Sequence, residues 1–240
     1  MGLIVRVINL DRSTDRLATF QANNPDLPIE RVSATDGRQL DREACIRSGL
    51  ITGANEYAPG AIGIAASHAA LWQACADGTE AFHIAEDDAI FHPDFVDIAG
   101  TYLGQLGDWD AVFWGFNFDW PVEAILMPWM GPMVIVLDQD AMRSQIGTYR
   151  QSRFHPALAK LTSCAGTVAY SISPSGARRY LERCLPIGNA TARYPLKQDT
   201  AVLNMGLDIE MSRHHSSLAT YVSLPPLAIT PNDASQSTAR

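Results

Sequence analysis

The sequence is poor in lysine, in cysteine and in long apolar runs. Only Lys160 and Lys197 are lysines among 18 basic residues, and 26 acidic residues leave a net charge of −8. Nucleic acids and anionic membranes are gripped through basic patches, so a broad surface of that kind is excluded. The four cysteines, Cys45, Cys75, Cys164 and Cys184, form no CxxC pair and no zinc-finger spacing. Buried free thiols in a reducing compartment are expected, with Cys75 and Cys184 on apolar helix faces. No stretch reaches the roughly 20 apolar residues that span a bilayer. The apolar start is short, is broken by Arg6 and has no basic lead, so it does not read as a signal peptide. A cytoplasmic protein is expected, with at most peripheral contact with the inner face of a membrane. GxGxxG, GxxxxGK[ST] and GxSxG are all missing, and Gly60-Ala-Ile-Gly63 lacks the third glycine of a dinucleotide loop.

What is present is a folding composition: 240 residues, 47% apolar and 18% charged. Residues 3–9 are β-branched and apolar, a buried strand. Asp11 to Ser13 start a helix that carries Leu17 and Phe20 and ends at Asn23-Asn24-Pro25. A second strand spans 29–34, Asp36-Gly37 forms a turn, and a helix over 64–76 lines up His68, Leu71, Trp72 and Cys75. Further strands are expected at 81–85, 110–116, 133–137 and 165–172. Pro93 stands in the first turn of the next helix, and Ser173-Pro174 caps and opens a helix over 174–184. A last helix is expected over 198–206, and the polar tail 231–240 reads as mobile. Strands alternating with helices give an α/β fold in a single domain, with a mixed, mostly parallel sheet flanked by helices.

The most informative residues are Glu86, Asp87 and Asp88, which follow directly on an apolar strand. Adjacent carboxylates repel and must be hydrated or paired, so stability alone is a poor reason for them. In open α/β sheets the ligand crevice lies beyond the carboxyl ends of strands. Carboxylates there can hold a hard divalent cation that in turn binds phosphate. A capping cluster ahead of the next helix is the plain alternative. His214-His215 can also bind metal, although an exposed pair near a chain end is more often incidental.

Val7-Ile-Asn-Leu-Asp-Arg-Ser-Thr-Asp-Arg16 resembles the opening of glycosyltransferase family 25. The likeness continues, in order, through Ser33-Ala-Thr-Asp-Gly37, Gly60 to Trp72, His83-Ile-Ala-Glu-Asp-Asp-Ala89, and Gly166 to Ser173 with Gly176-Ala177. The family includes bacterial lipooligosaccharide galactosyltransferases and collagen galactosyltransferases. The resemblance implies a Rossmann-like, GT-A type nucleotide-sugar transferase domain over 1–240. Donor binding falls in about 1–116 and the acceptor side in about 117–230. It also implies a UDP-sugar donor, most often UDP-galactose, a Mn²⁺ or Mg²⁺ ion, and transfer with inversion to a saccharide or glycolipid in lipopolysaccharide or lipooligosaccharide biosynthesis. A nucleotide-sugar-binding protein or scaffold without turnover is the alternative.

In that setting Asp88 binds the ion directly, assisted by Glu86 or Asp87. Asn9, Asp11, Arg12 and Arg16 stand at the first strand's end, where uridine, ribose or phosphate is read. Simple pairing of Asp11 and Asp15 with Arg12 and Arg16 along the helix is the alternative. Asp36, Gly37, Ser67 and His68 join the donor side, and Thr167 and Tyr170 the acceptor side, although Tyr170 on a strand equally suits the core. Asp199 is the expected general base, with Asp119 as rival; Lys197-Gln-Asp199 loosely resembles the family's later Asp-containing block. Segment 117–155, rich in Trp and Pro, has no counterpart in the family blocks and is where acceptor specificity is expected.

Overall fold

The computed structural model describes residues 2–232, so the expected mobile tail lies outside the described residues from 233 onward. The first half of the chain forms β1 (Val5–Asn9), α1 (Thr14–Asn23), β2 (Ile29–Ser33), α2 (Arg42–Arg47), α3 (Pro59–Asp77), β3 (Phe82–Glu86), β4 (Ile90–Phe91), α4 (Phe95–Gln105) and β5 (Ala111–Gly115). The second half forms β6 (Val122–Ile125), β7 (Met133–Ile135), α5 (Gln139–Ser144), α6 (Ile146–Gln151), β8 (Ala157–Ser163), β9 (Ala169–Ile172), α7 (Pro174–Cys184), β10 (Thr191–Tyr194), β11 (Lys197–Leu203), α8 (Leu207–Ser212), β12 (Thr220–Leu224) and β13 (Ala228–Ile229).

Nine strands make one sheet in the order β2-β1-β3-β9-β5-β12-β8-β6-β7. The fold is α/β with a mixed sheet, as expected, but parallel pairs do not dominate. β2–β1, β1–β3 and β5–β12 are parallel. The pairs β3–β9, β9–β5, β12–β8, β8–β6 and β6–β7 are antiparallel. The reason is β9, which inserts antiparallel between β3 and β5, followed by antiparallel strands out to the β7 edge. Side chains alternate across the sheet with period two. On one face Ile84, Phe113, Tyr170 and Ile172 pack with Trp72 and Cys75 of α3 and Tyr180 of α7. On the other, Val5, Val7, Val112 and Trp114 pack with Phe20 of α1 and Phe95 and Ala99 of α4.

Helix α3 begins earlier than its apolar stripe suggests, because Pro59 opens it at the first turn. Ser173 caps α7 through Gly176 N–H, as the Ser-Pro pair predicts. Pro93 lies ahead of α4 rather than within it. The strand expected over 165–172 is paired only from Ala169, and Ala165 to Thr167 form a loop turned by Gly166 at φ +89°. The helix expected over 198–206 is a correction: residues 197–203 are the second strand of the β10–β11 hairpin. There Ala192 opposes Val202, and both pack with Ala165, Ile209 and Trp120 in a small core, which a helix could not supply from this short segment. All four cysteines are free and buried, as expected. No helix among the described residues is long and apolar enough to cross a membrane.

Burial holds three imidazoles neutral. It pulls His68 and His215 down to about 3, and with the Arg6 charge pulls His83 to about 4. Folded-state values below the unfolded ones mean that their stabilisation is complete above the ordinary histidine value. It is lost as pH falls through about 6.5 toward the folded values. We expect ring-proton resonances of these three residues to stay flat from pH 8 to 5 in the folded chain. A midpoint near 6.5 for any of them would contradict the buried geometry.

Candidate active site

The carboxyl ends of β1 and β3 open onto two cavities that share Arg16, Ile64, Glu86 and Asp87 in their walls. The smaller, about 290 Å³, lies between the β2–α2 turn and α3. The larger, about 720 Å³, lies under the loops of the antiparallel half. The acidic run at the end of β3 therefore forms the partition between two compartments.

Most of the expected donor-side residues meet at the smaller cavity: Arg12, Arg16, Asp36, Gly37, Ser67, His68, Glu86 and Asp87 all line it. Both arginines reach carboxylates outside α1. Arg12 reaches Asp36, and Arg16 Nε donates to Asp87 Oδ1 at 2.8 Å. Burial opposes ionisation of Asp36, but the Arg38 backbone and side-chain N–H groups and the Arg12 charge hold its carboxyl below the usual range. Ser67 accepts Thr35 N–H at 2.9 Å and donates to Gly63 O at 2.8 Å, fastening the turn to α3. His68 is buried, with Nδ1 2.7 Å from Tyr170 Oη. Trp72 Nε1 donates to the same Tyr170 oxygen at 2.8 Å. The tyrosine proton then faces His68 Nδ1, leaving the imidazole neutral with its proton on Nε2.

Asn9 and Asp11 fall outside the cavity. Asn9 is buried behind it and donates to Asp87 Oδ2 at 2.7 Å and to Ser13 O at 3.0 Å, so it orients Asp87. Asp11 is exposed and turned toward β2, where it accepts from Ser33 at 2.8 Å and pairs with Arg31. The structure thus brings together the later residues of the opening motif and leaves Asp11 on an outer edge.

Glu86, Asp87 and Asp88 all line the larger cavity, with Thr167, Asp119 and Asp208 across it. Thr167 donates to Glu86 Oε1. Burial, and next the Asp88 charge, push the Glu86 carboxyl up. Burial raises Asp88 too, against the pull of Arg16. Asp88 Oδ1 is buried and has no hydrogen-bond partner among the described residues. A pair of crowded carboxylates with an orphaned oxygen fits a hard, oxygen-seeking divalent cation.

Two expectations are not brought together. Tyr170 is fully buried, stacked between Phe113 and His68, and lines neither cavity. Asp199 sits exposed on β11 and lines neither cavity. Its rival Asp119 does line the larger one, where Asn232 Nδ2 donates to it at 2.9 Å. The residue that sequence reasoning missed is Asp208, in the first turn of α8. Its Oδ2 accepts Gly166 N–H at 2.8 Å, and burial raises its carboxyl. Gly206-Leu-Asp-Ile-Glu210 carried the signal, a helix start with an acidic first turn. From the Trp- and Pro-rich segment, Asn117, Asp119 and Trp120 reach the larger cavity.

The model of glycosyltransferase family 25 (LPS biosynthesis protein) matches residues 4–194, which include α1, the β2–α2 turn and the acidic partition. The chain belongs to this family. The family 25 assignment makes it a glycosyltransferase and places it with LPS biosynthesis proteins; its substrates are then a sugar donor and an acceptor. Asp208, in the larger cavity, lies beyond the matched region. No curated protein matches the chain. Among solved structures, A197 from STIV is similar over 97% of this chain and 95% of that one, at 13% identity and a TM-score of 0.39, too distant to carry an argument.

Proposed function

We propose that this family 25 glycosyltransferase is metal-dependent and inverting, and that it has a GT-A type nucleotide-sugar site. It moves a sugar, galactose first among candidates, from a UDP-sugar to a hydroxyl of a saccharide or glycolipid acceptor in lipopolysaccharide or lipooligosaccharide assembly. The observation that carries this reading is the acidic run shared as a wall by two cavities, with Asp88 Oδ1 buried and unpartnered. The smaller cavity takes the nucleotide and the larger the sugar and acceptor.

Asp88, with Glu86, would hold Mn²⁺ or Mg²⁺, which when bound supplies positive charge to the diphosphate. Arg16 adds positive charge at the same wall. Asn9 keeps Asp87 turned toward the donor. The His68 Nε2–H is a neutral donor for a uridine or ribose oxygen. On the acceptor side Asp208 takes the role first given to Asp199. The acceptor oxygen forms a bond to the anomeric carbon as the carbon–oxygen bond to UDP breaks, and the hydroxyl proton passes to Asp208.

The test is thermal shift with UDP-Gal, UDP-Glc and UDP-GlcNAc, each with and without Mn²⁺, followed by UDP release with an acceptor pool. One UDP-sugar should raise the melting temperature, and Mn²⁺ should enlarge the rise. Absence of any shift would remove the reading. Asp208→Asn should keep the donor shift and lose about 10²–10⁴-fold in kcat. Asp199→Asn should turn over as the parent does. The opposite pattern would return the base to Asp199.

A further inference from the structure

A second group of metal-type donors lies away from both cavities, where the end of α7 meets α8. Cys184 Sγ, a Glu210 carboxylate oxygen and a His214 ring nitrogen all lie within 4.8 Å of one another. None of the three lines either cavity. Cys184 is 1% exposed and Glu210 2%, while the His214 side chain is 16% exposed and forms the open side. The Cys184 thiol makes no hydrogen bond among the described residues. Glu210 Oε1 accepts from Arg213 at 2.5 Å and stands 3.3 Å from His214 Nε2, and Oε2 accepts from Asn204.

A buried carboxylate beside a buried, unpartnered thiol gains little for stability. Burial and the neighbouring Glu210 charge push the thiol well above its usual range, so it is neutral and idle when no cation is present. The donor mixture is informative. Sulfur, imidazole and carboxylate together suit zinc-class ions, whereas the oxygen-only set at Glu86 and Asp88 suits Mg²⁺ or Mn²⁺. Arg213 and His214 both meet Glu210 at Oε1, which fixes that carboxylate beside the thiol.

We propose that Cys184, Glu210 and His214 form a second metal site for a zinc-class ion, with water completing the coordination. Binding takes the proton off Cys184 to solvent, and the thiolate, the imidazole and the carboxylate bind the ion. The ion then staples the carboxyl end of α7 to α8, whose first turn carries Asp208. Fixing α8 in this way fixes one wall of the larger cavity, yet the site itself is separate from the acidic partition.

Cobalt(II) distinguishes the two centres, because only a sulfur ligand gives a thiolate-to-cobalt charge-transfer band. The full chain, stripped with chelator and held in excess Mg²⁺ to fill the acidic site, is titrated with Co²⁺. The expected result is a thiolate band saturating at one ion per chain and bleached by Zn²⁺. Cys184→Ser should lose the band. His214→Gln, at the more open position, should weaken Co²⁺ binding by about tenfold or more with an unchanged circular dichroism spectrum. Asp88→Asn should leave the band intact. No thiolate band in the parent chain would overturn the proposal. So would a band that survives Cys184→Ser, since it would point instead to Cys164, whose Sγ lies 3.7 Å from His215 Nε2.

Discussion

Asp88→Asn is expected to abolish metal-dependent transfer, with kcat/KM falling by about 10²–10³-fold or more, while the chain folds at least as well as before. The substitution keeps the shape of the side chain and removes its charge. In the folded chain that charge is held at a cost: burial raises the Asp88 carboxyl, the Asp87 charge adds to this, and Arg16 only partly opposes them. Oδ1 has no partner to lose. Relief of a crowded anion therefore offsets any loss of packing, and the melting temperature should hold or rise. The readout that separates function from folding is the Mn²⁺-dependent thermal shift, which should vanish in the variant and persist in the parent. A variant that keeps both the shift and the turnover would take Asp88 out of the metal site. Asp87→Asn should differ in kind. Asp87 is bonded to Asn9 and Arg16, so the substitution weakens the hold of both side chains on this wall and should weaken donor binding before it affects the metal.

The placement of the residues around the smaller cavity was legible because many of them follow one another along local, strongly patterned elements. Val5 and Val7 alternate with Arg6 and Ile8, so the end of β1 could be placed from the sequence, and with it Asn9 to Arg16. The same holds for β3 and the acidic run after it. What the pattern does not fix is the direction of each side chain beyond the strand end. Asp11 turns to Arg31 and Ser33 on the neighbouring strand, and Asn9 turns inward to Asp87. The half of the fold around the larger cavity was largely illegible because the pairings of β8 and β9 are non-local. β8 pairs with β12 and β6, and β9 joins β3 to β5, none of which is a short hairpin. Residues 198–206 lack an internal breaker before Gly206 and read as helix, yet the turn at Tyr194 to Lys197 folds them back on β10. Asp199, expected as the base from its loose likeness to a family block, therefore stands on an exposed hairpin away from both cavities. The predominance of parallel strands failed for the same reason: β9 inserts antiparallel between β3 and β5, a pairing that nothing in its own strand pattern announces.

Gly63→Val should cost about 1–3 kcal/mol of stability and, separately, weaken UDP-sugar binding by about tenfold. A Cβ at Gly63 would stand 2.6 Å from both Gly37 N and Thr35 O, backbone atoms that have no rotamer to escape into. Gly37 is tighter still, with Pro59 O at 1.7 Å from its added Cβ. The two glycines let the turn after β2 lie directly on α3. One partner must move, and α3 is the less free, since Trp72 and Cys75 at 0% exposure lock it to the sheet. The turn therefore shifts, and it carries Thr35, Asp36 and Gly37 of the smaller cavity wall. The Thr35 N–H to Ser67 bond of 2.9 Å should break with it, and the Arg12–Asp36 pair should be displaced. The Mn²⁺ response at Asp88 should survive, because the acidic partition hangs from β3 and not from this turn. Gly100→Ala is the matched control: its Cβ meets nothing within 4 Å, and alanine inside α4 should stabilise by up to about 1 kcal/mol. Urea unfolding measures the first effect and calorimetric titration with a UDP-sugar the second. Wild-type donor affinity in Gly63→Val would mean that the turn does not bind the donor, and the nucleotide would then have to be sought in the larger cavity.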